Sequence, residues 1–372
     1  MLRRIFLLST VAMVLVSPIG ESADAARAGC GGHRGTITGT DGRDTLRGTS
    51  GDDVIAGRGG ADRIFGLNGN DVICGGGGND VITSGWGRDS IDAGAGDDRA
   101  TTGPQHDSVS PGSGDDLIRT RGGDDGVEAS WGNDDLGGGP GGDLISFEGE
   151  VGVVVDLAKG AASGIGNDAL GSFEDVQGSQ RADRILGNRR SNEVFGLGGG
   201  DAIVGRGGGD GLVGDGQNAR EVGSDHIRGG GGRDTLVGDG SEGFARDDSL
   251  FGGRGGDKII GDGSVYRSDE PLGRDYIEGG PGDDAIHGDD IWNIESNEYS
   301  ESWGDTDEIL GGPGEDVLLG QGGEDMLRGG NHDDLADGGN SYTDVLGTPD
   351  EFDTCEAETE RDCERNFNDW GR

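Results

Sequence analysis

Aspartate returns at every ninth residue along much of this chain. The first run is Asp44, Asp53, Asp62, Asp71, Asp80, Asp89, Asp98, Asp107, Asp116, Asp125, Asp134 and Asp143. A second run, stretched by inserts, is Asp183, Asp201, Asp210, Asp225, Asp234, Asp248, Asp257, Asp275, Asp284, Asp307, Asp316, Asp325 and Asp334, with Asn192 where one more aspartate would fall. Carboxylates repeated at fixed spacing are hard oxygen donors. The ion they suit is calcium, which takes six to eight oxygens from carboxylates and backbone carbonyls, whereas zinc would want histidine or cysteine. The chain has five His and four Cys, and neither type recurs with the period. These aspartates are therefore the candidate metal ligands.

Other chemistry finds no constellation. There is no H-E-x-x-H and no G-x-S-x-G. His33, His106, His226, His287 and His332 are scattered and read as turn residues. Gly137, Gly139 and Gly142 match the spacing G-x-G-x-x-G, but Pro140 interrupts them and no strand and helix frame them. No enzyme activity is expected.

The elements that must hold the aspartates follow from the rest of the repeat. From Gly39 to Ser146 the chain divides without gaps into units such as GTDGRDTLR, GTSGDDVIA, GRGGADRIF and GLNGNDVIC. Place six is always aspartate; place four is glycine except at Gln105, and place eight is aliphatic except at Ala100. From Gly178 the pattern resumes and runs to Asp337. One aliphatic per unit buries little against the entropy of ordering nine residues. Stacked turns would also bring like charges about 4.8 Å apart, the strand spacing, which is repulsive unless an ion lies between them. Place-five acids such as Asp52, Asp97, Asp115 and Asp124 are expected to be mostly solvated, some adding outer ligands.

The pattern G-G-x-G-x-D-x-U-x resembles the haemolysin-type, or RTX, calcium-binding repeat, over roughly two-thirds of the chain. The resemblance implies an all-β fold, a parallel β-roll (right-handed β-solenoid) in which six residues of each unit turn and three form a strand. Enzymes of that family carry a separate catalytic domain beside the array, and none is visible here. The family commonly uses an uncleaved C-terminal secretion signal and few cysteines; this chain departs on both counts.

Composition agrees. Eighty-five glycines and a hydrophobic share of 30% do not suit an ordinary single-core domain, and glycine does not fall on every third position as collagen requires. The net charge of −43 makes nucleic acid and anionic membrane surfaces poor partners and calls for bound cations in any compact state. Six Arg-Gly-Gly triplets fall at unit boundaries in this acidic surround and do not read as RNA-binding.

Residues 1–25 read as a signal peptide: Arg3 and Arg4, an apolar run from Ile5 to Val16, Pro18, then small residues, with cleavage after Ala25 or, alternatively, Ala28. No second apolar run follows, so no membrane span and a secreted, extracellular or cell-surface location are expected. Residues 26–38 then form an N-terminal cap, 39–146 the first array, 147–177 an interrupting insert, 178–346 the second array and 347–372 a C-terminal cap bearing Phe352, Phe367 and Trp370. The insert is expected to act as a wider turn, with one strand alternating through Val151, Val153, Val155 and Leu157 and another at Phe173 to Val176. An even cysteine count in an exported chain favours disulfides. Cys355 and Cys363 are near in sequence and are expected to pair; Cys30 with Cys74 follows only by elimination, and their separation in the array leaves that pairing open.

Within the second array the phase is broken at 214–219, 238–242, 261–269 and 288–301, beginning Gly214-Asp215-Gly216, Gly238-Asp239-Gly240, Gly261-Asp262-Gly263 and Gly288-Asp289-Asp290. Two units separate each insert from the next, so all four should leave one side of a roll whose turn is two units long. An extracellular glycan or surface partner is expected to meet loops 261–269 and 288–301, where Tyr266, Trp292 and Tyr299 lie, with Trp303 just beyond.

Overall fold

The computed structural model describes residues 30–337, apart from 34, 148, 217, 218, 220, 221, 241–244, 263–272, 290–305 and 321–324, together with the backbone of 354–355. The signal segment, the Cys355–Cys363 pair, the aromatic residues of the two long loops and those of the C-terminal cap lie outside the described residues.

Each nonapeptide gives one short strand, and successive strands alternate between two sheets of sixteen strands. Neighbours within a sheet are therefore two units apart and parallel. Leu46 lies beside Ile64 in one sheet, and Ile55 beside Ile73 in the other. There is no α-helix among the described residues, and none long and apolar enough to cross a membrane. The chain is a parallel β-roll.

Strand alternation decides what lies inside. Side chains at every second residue share a face, so places six, eight and the following place one all point between the sheets. Place eight supplies the apolar core: Ile55, Ile64, Ile73, Ile118, Leu136, Ile145, Ile203, Leu250 and Ile309 are fully buried. Each contributes about 2 to 3 kcal/mol of burial. The same alternation carries the place-six carboxylate inward.

The insert is more than a wider turn. Instead of one strand from Val151 to Leu157, a shorter strand Val154–Asp156 pairs parallel with Arg184–Leu186, the next strand of its sheet. Ala161–Ser163 runs back antiparallel to it, and Asn167–Gly171 turns again to lie parallel to Asp135–Gly137. Asp175–Gln177 then joins the other sheet between Leu144–Ser146 and Glu193–Leu197. One sheet thus gains two strands with no counterpart in the other, and Phe147, Val153, Val155 and Phe173 fill the core at this junction.

Cys30 and Cys74 form a disulfide with 5.5 Å between Cα atoms, closing a sequence separation of 44 residues. Chain entropy gives a loop of that length about 4 kcal/mol of stabilisation. It pins the short 3-10 turn Cys30–Gly32 against the strand Val72–Gly77.

Candidate metal centre

The aspartates form two stacks, one before each sheet, each interrupted at the insert. In one, the backbone N–H of Asp44 donates to Oδ1 of Asp62 (2.7 Å), that of Asp62 to Asp80 (2.8 Å), and so on through Asp98, Asp116 and Asp134. In the other, Asp53, Asp71, Asp89, Asp107, Asp125 and Asp143 are linked the same way. Past the insert the first stack runs Asp183, Asp201, Asp225, Asp248, Asp275, Asp307, Asp325, and the second runs Asn192, Asp210, Asp234, Asp257, Asp284, Asp316, Asp334. All twenty-five predicted aspartates are thus in register. From Asp53 to Asp334 each is at most 7% exposed, while Asp44, on the first rung, is half-buried.

One carboxylate oxygen is committed to this ladder; the other divides the coils into two kinds. Where the place-two residue is left-handed, as at Arg58 (φ 79°), Leu67 (φ 88°), Gly76 (φ 103°), Gly94 (φ 109°) and Leu197 (φ 86°), its N–H does not cap the aspartate of its unit. Oδ2 of Asp62, Asp71, Asp80, Asp98 and Asp201 is then buried with no hydrogen-bond partner. Where place two keeps an ordinary conformation, its N–H caps the carboxylate: Thr40 to Asp44 (2.6 Å), Thr49 to Asp53 (2.6 Å), Gly103 to Asp107 (3.2 Å) and Ser179 to Asp183 (2.5 Å). Oδ2 of Asp125, Asp225, Asp248 and Asp275 also lacks a partner although Arg121, Asp215, Asp239 and Asp262 at place two are not left-handed, so the backbone of place two does not by itself decide which coils are open.

The open coils offer a cation site. Oδ2 of Asp71 lies against Gly66, the place-one residue of its own unit, and beside the backbone carbonyl of Ser84 one coil further on; a methyl group at Gly66 would overlap both oxygens. Asp62 and Gly57 meet the carbonyl of Gly75 in the same way. Buried oxygens of like partial charge facing one another, with no donor between them, fit a hard cation with oxygen coordination. The electrostatics agree. Burial, followed by the negative charges of stacked neighbours, pushes the Asp98 carboxyl up to about 7, Asp71 and Asp143 to about 6, and Asp201 to about 9.

Place five makes a separate, exposed ladder. Asp52 accepts the N–H of Asn70 (2.7 Å), Asp97 that of Asp115 (3.1 Å), and Asp115 that of Asn133 (2.9 Å). These carboxylates order the outer turn while remaining in solvent.

Sequence reasoning missed residues that continue the stacks without the nonapeptide phase. Asp168 Oδ1 accepts the Asp134 N–H (3.1 Å), and Glu174 Oε2 accepts that of Asp143 (3.3 Å). Their signal was an acid two residues before a buried apolar residue, Leu170 or Val176, hidden by the phase break. At this junction, too, protein cations meet the buried acids. Arg190 pairs with Glu174, and Arg206 (2.9 Å) and Lys159 (3.0 Å) pair with Asp156. Burial raises Asp156, but those two partners outweigh it and bring the carboxyl down to about 2. Asn192 brings its own donor, with Nδ2 bonded to the Glu174 carbonyl at 2.7 Å.

The family model described as the RTX calcium-binding nonapeptide repeat (4 copies) matches residues 38–73, 67–100, 110–145, 177–212, 222–241, 242–264, 272–290 and 305–341, well over half of the chain. The chain belongs to the RTX calcium-binding repeat family. Its stacked, buried aspartates are the calcium-binding β-roll that membership implies, and the stretch 146–176, between two matched segments, holds the meander. No curated protein matches this RTX chain.

Proposed function

We propose that this RTX chain is an exported protein whose two aspartate stacks hold calcium between successive coils, so that folding is coupled to the ion, and whose role is structural or one of surface interaction. The observation that carries the reading is the partnerless, buried Oδ2 that recurs coil after coil. The predicted ligands are the twenty-five place-six aspartates. The open coils bind through Oδ2 and a backbone carbonyl of the following coil, whereas the capped coils at Asp44, Asp53, Asp107 and Asp183 bind more weakly because an N–H already occupies that oxygen. Calcium would supply positive charge to a buried row of carboxylates; the chain itself supplies the oxygens, the spacing and the exclusion of water.

Export is supported by the N-terminal segment 1–25 and by the Cys30–Cys74 disulfide, which suits an oxidising compartment. Residues 26–38 and 347–372 would serve as caps. The contact surface is assigned to the edge from which the four inserts leave, with no catalytic role. Its basis is that the inserts' second residues stack: Asp215 beside Asp239, Asp239 beside Asp262, and Asp262 beside Asp289. A glycan or mineral surface is the alternative class of partner for that edge.

The comparison of an open with a capped coil tests the ligand assignment. Asp80→Ala should raise the calcium concentration at the folding midpoint several-fold, because it removes a donor between two coils. Asp44→Ala, on the first rung and already capped by Thr40, should change it by less than about two-fold. Equal shifts would count against shared ions.

A further inference from the structure

The inserts carry acids that the nonapeptide pattern does not require. Asp215, Asp239 and Asp262 stand at place two of interrupted units, at the ends of the strands Gly211–Asp215, Thr235–Asp239 and Lys258–Asp262. They are 0%, 2% and 1% exposed. Each spends one oxygen on the far end of its own insert: Asp215 Oδ2 accepts the N–H of Gly223 (2.6 Å), Asp239 Oδ2 that of Arg246 (2.6 Å), and Asp262 Oδ2 that of Gly273 (2.7 Å). These bonds close the base of each loop.

The remaining oxygens converge. Asp215, Asp225 and Asp239 each place a carboxylate oxygen within 4.8 Å of the other two, as do Asp239, Asp248 and Asp262. Oδ1 of Asp215 and Asp239, and Oδ2 of Asp225 and Asp248, are buried without any hydrogen-bond partner. Two oxygens bound to one calcium at about 2.4 Å lie at most about 4.8 Å apart, so the spacing fits a single ion. The carbonyl of Gly238 lies beside Gly214 and Asp225, and that of Gly261 beside Gly238 and Asp248, adding uncharged oxygens at both places. Arg246, the basic residue at this base, eases the charge of Asp239 and bonds to it through its backbone N–H. Three carboxylates crowded out of water need more positive charge than that.

We propose that at these triads two place-six sites, those of Asp225 and Asp248, are enlarged by carboxylates from the insert bases and share Asp239, and that the enlarged sites latch the insert loops to the roll. The proposal rests on the calcium-binding reading above. Because the same carboxylate binds the ion through Oδ1 and closes the loop through Oδ2, ion binding fixes the base from which a loop is displayed. The inserts would then be presented in calcium and released without it, while their own sequences stay free to vary.

The test counts calcium ions on the full-length chain by equilibrium dialysis at saturating calcium, with far-ultraviolet circular dichroism to confirm folding. Asp239→Asn should lose two ions, and proteolysis in calcium should newly cleave within 216–222 and 240–245 while the first array stays intact. Asp80→Asn serves as the reference for the place-six stack. If Asp239→Asn keeps the wild-type number while Asp80→Asn loses ions, the insert sites are refuted and the general reading stands. If the wild-type chain binds no calcium, the general reading fails and this one with it. Should Asp239→Asn not fold, Asp215→Asn decides, since it touches one triad: one ion lost supports the proposal and none lost overturns it.

Discussion

At the scale of single residues, the decisive feature is that aspartate shares one inward face with the apolar residue of place eight and the place-one residue, glycine in many units. Period-two alternation puts places six, eight and one on the same side of each strand; a glycine at place one, as at Gly57 and Gly66, lies against the second carboxylate oxygen, whereas the coil of Asp98 carries Ala93 there. Gly66→Ala should therefore destabilise the chain by about 2 kcal/mol in saturating calcium and raise the calcium midpoint, because the new methyl enters the space shared by Asp71 Oδ2 and the Ser84 carbonyl. Gly51→Ala, at an exposed place four with ordinary φ and no heavy atom within 4 Å of the added methyl, should leave both unchanged. Thermal melts at several calcium concentrations would show the contrast, and equal behaviour of the two variants would remove the cradle from the account. The aspartates themselves were legible in the sequence because nothing else in the unit is so regular. Their distinction into open and capped was not, because it depends in part on the backbone of place two: Arg58 and Leu67 adopt a left-handed conformation that their residue types do not announce.

At the scale of elements, the two-unit coil was legible, since place-eight aliphatics alternate between sheets as the spacing predicts. The insert was only partly so. Alternating valines announced one strand, yet Ala161–Ser163 and Asn167–Gly171 have no such pattern, and they form because the meander offers their backbones partners on both sides. This junction pairs two of its buried acids, Glu174 and Asp156, with Arg190, Arg206 and Lys159, while Asp143 and Asp168 keep a partnerless Oδ2, so the strands around Asp156 should depend least on calcium. Hydrogen exchange in calcium-free buffer is expected to leave amides of Val154–Asp156 and Arg184–Leu186 protected at least about ten-fold more than those of Val72–Gly77, where each coil lacks a protein cation. Arg206→Met should erase that difference. Uniform exchange along the wild-type chain would contradict the idea of a metal-independent junction.

For the molecule as a whole, the sum of these coils is a stack in which each unit contacts its neighbours and little else. Such an array gains its cohesion from nearest-neighbour terms, and here those terms include a repulsion between stacked acids in a chain of net charge −43. A nonapeptide with one buried aliphatic has little to set against that repulsion, so the ion belongs to the folding equilibrium itself. The acids at the insert bases show how far the repeat pattern reaches: Asp215 and Asp239 were visible as parts of Gly-Asp-Gly turns, but their convergence on Asp225 and Asp248 needs the register of the roll. The measurement that bears most directly on the whole account is the far-ultraviolet circular dichroism of the calcium-stripped chain during stepwise return of calcium. The account predicts that most of the β signal is absent in excess chelator, apart from a remnant from the junction, and that it returns cooperatively as calcium is added. A β spectrum that is the same in excess chelator and in saturating calcium would contradict it.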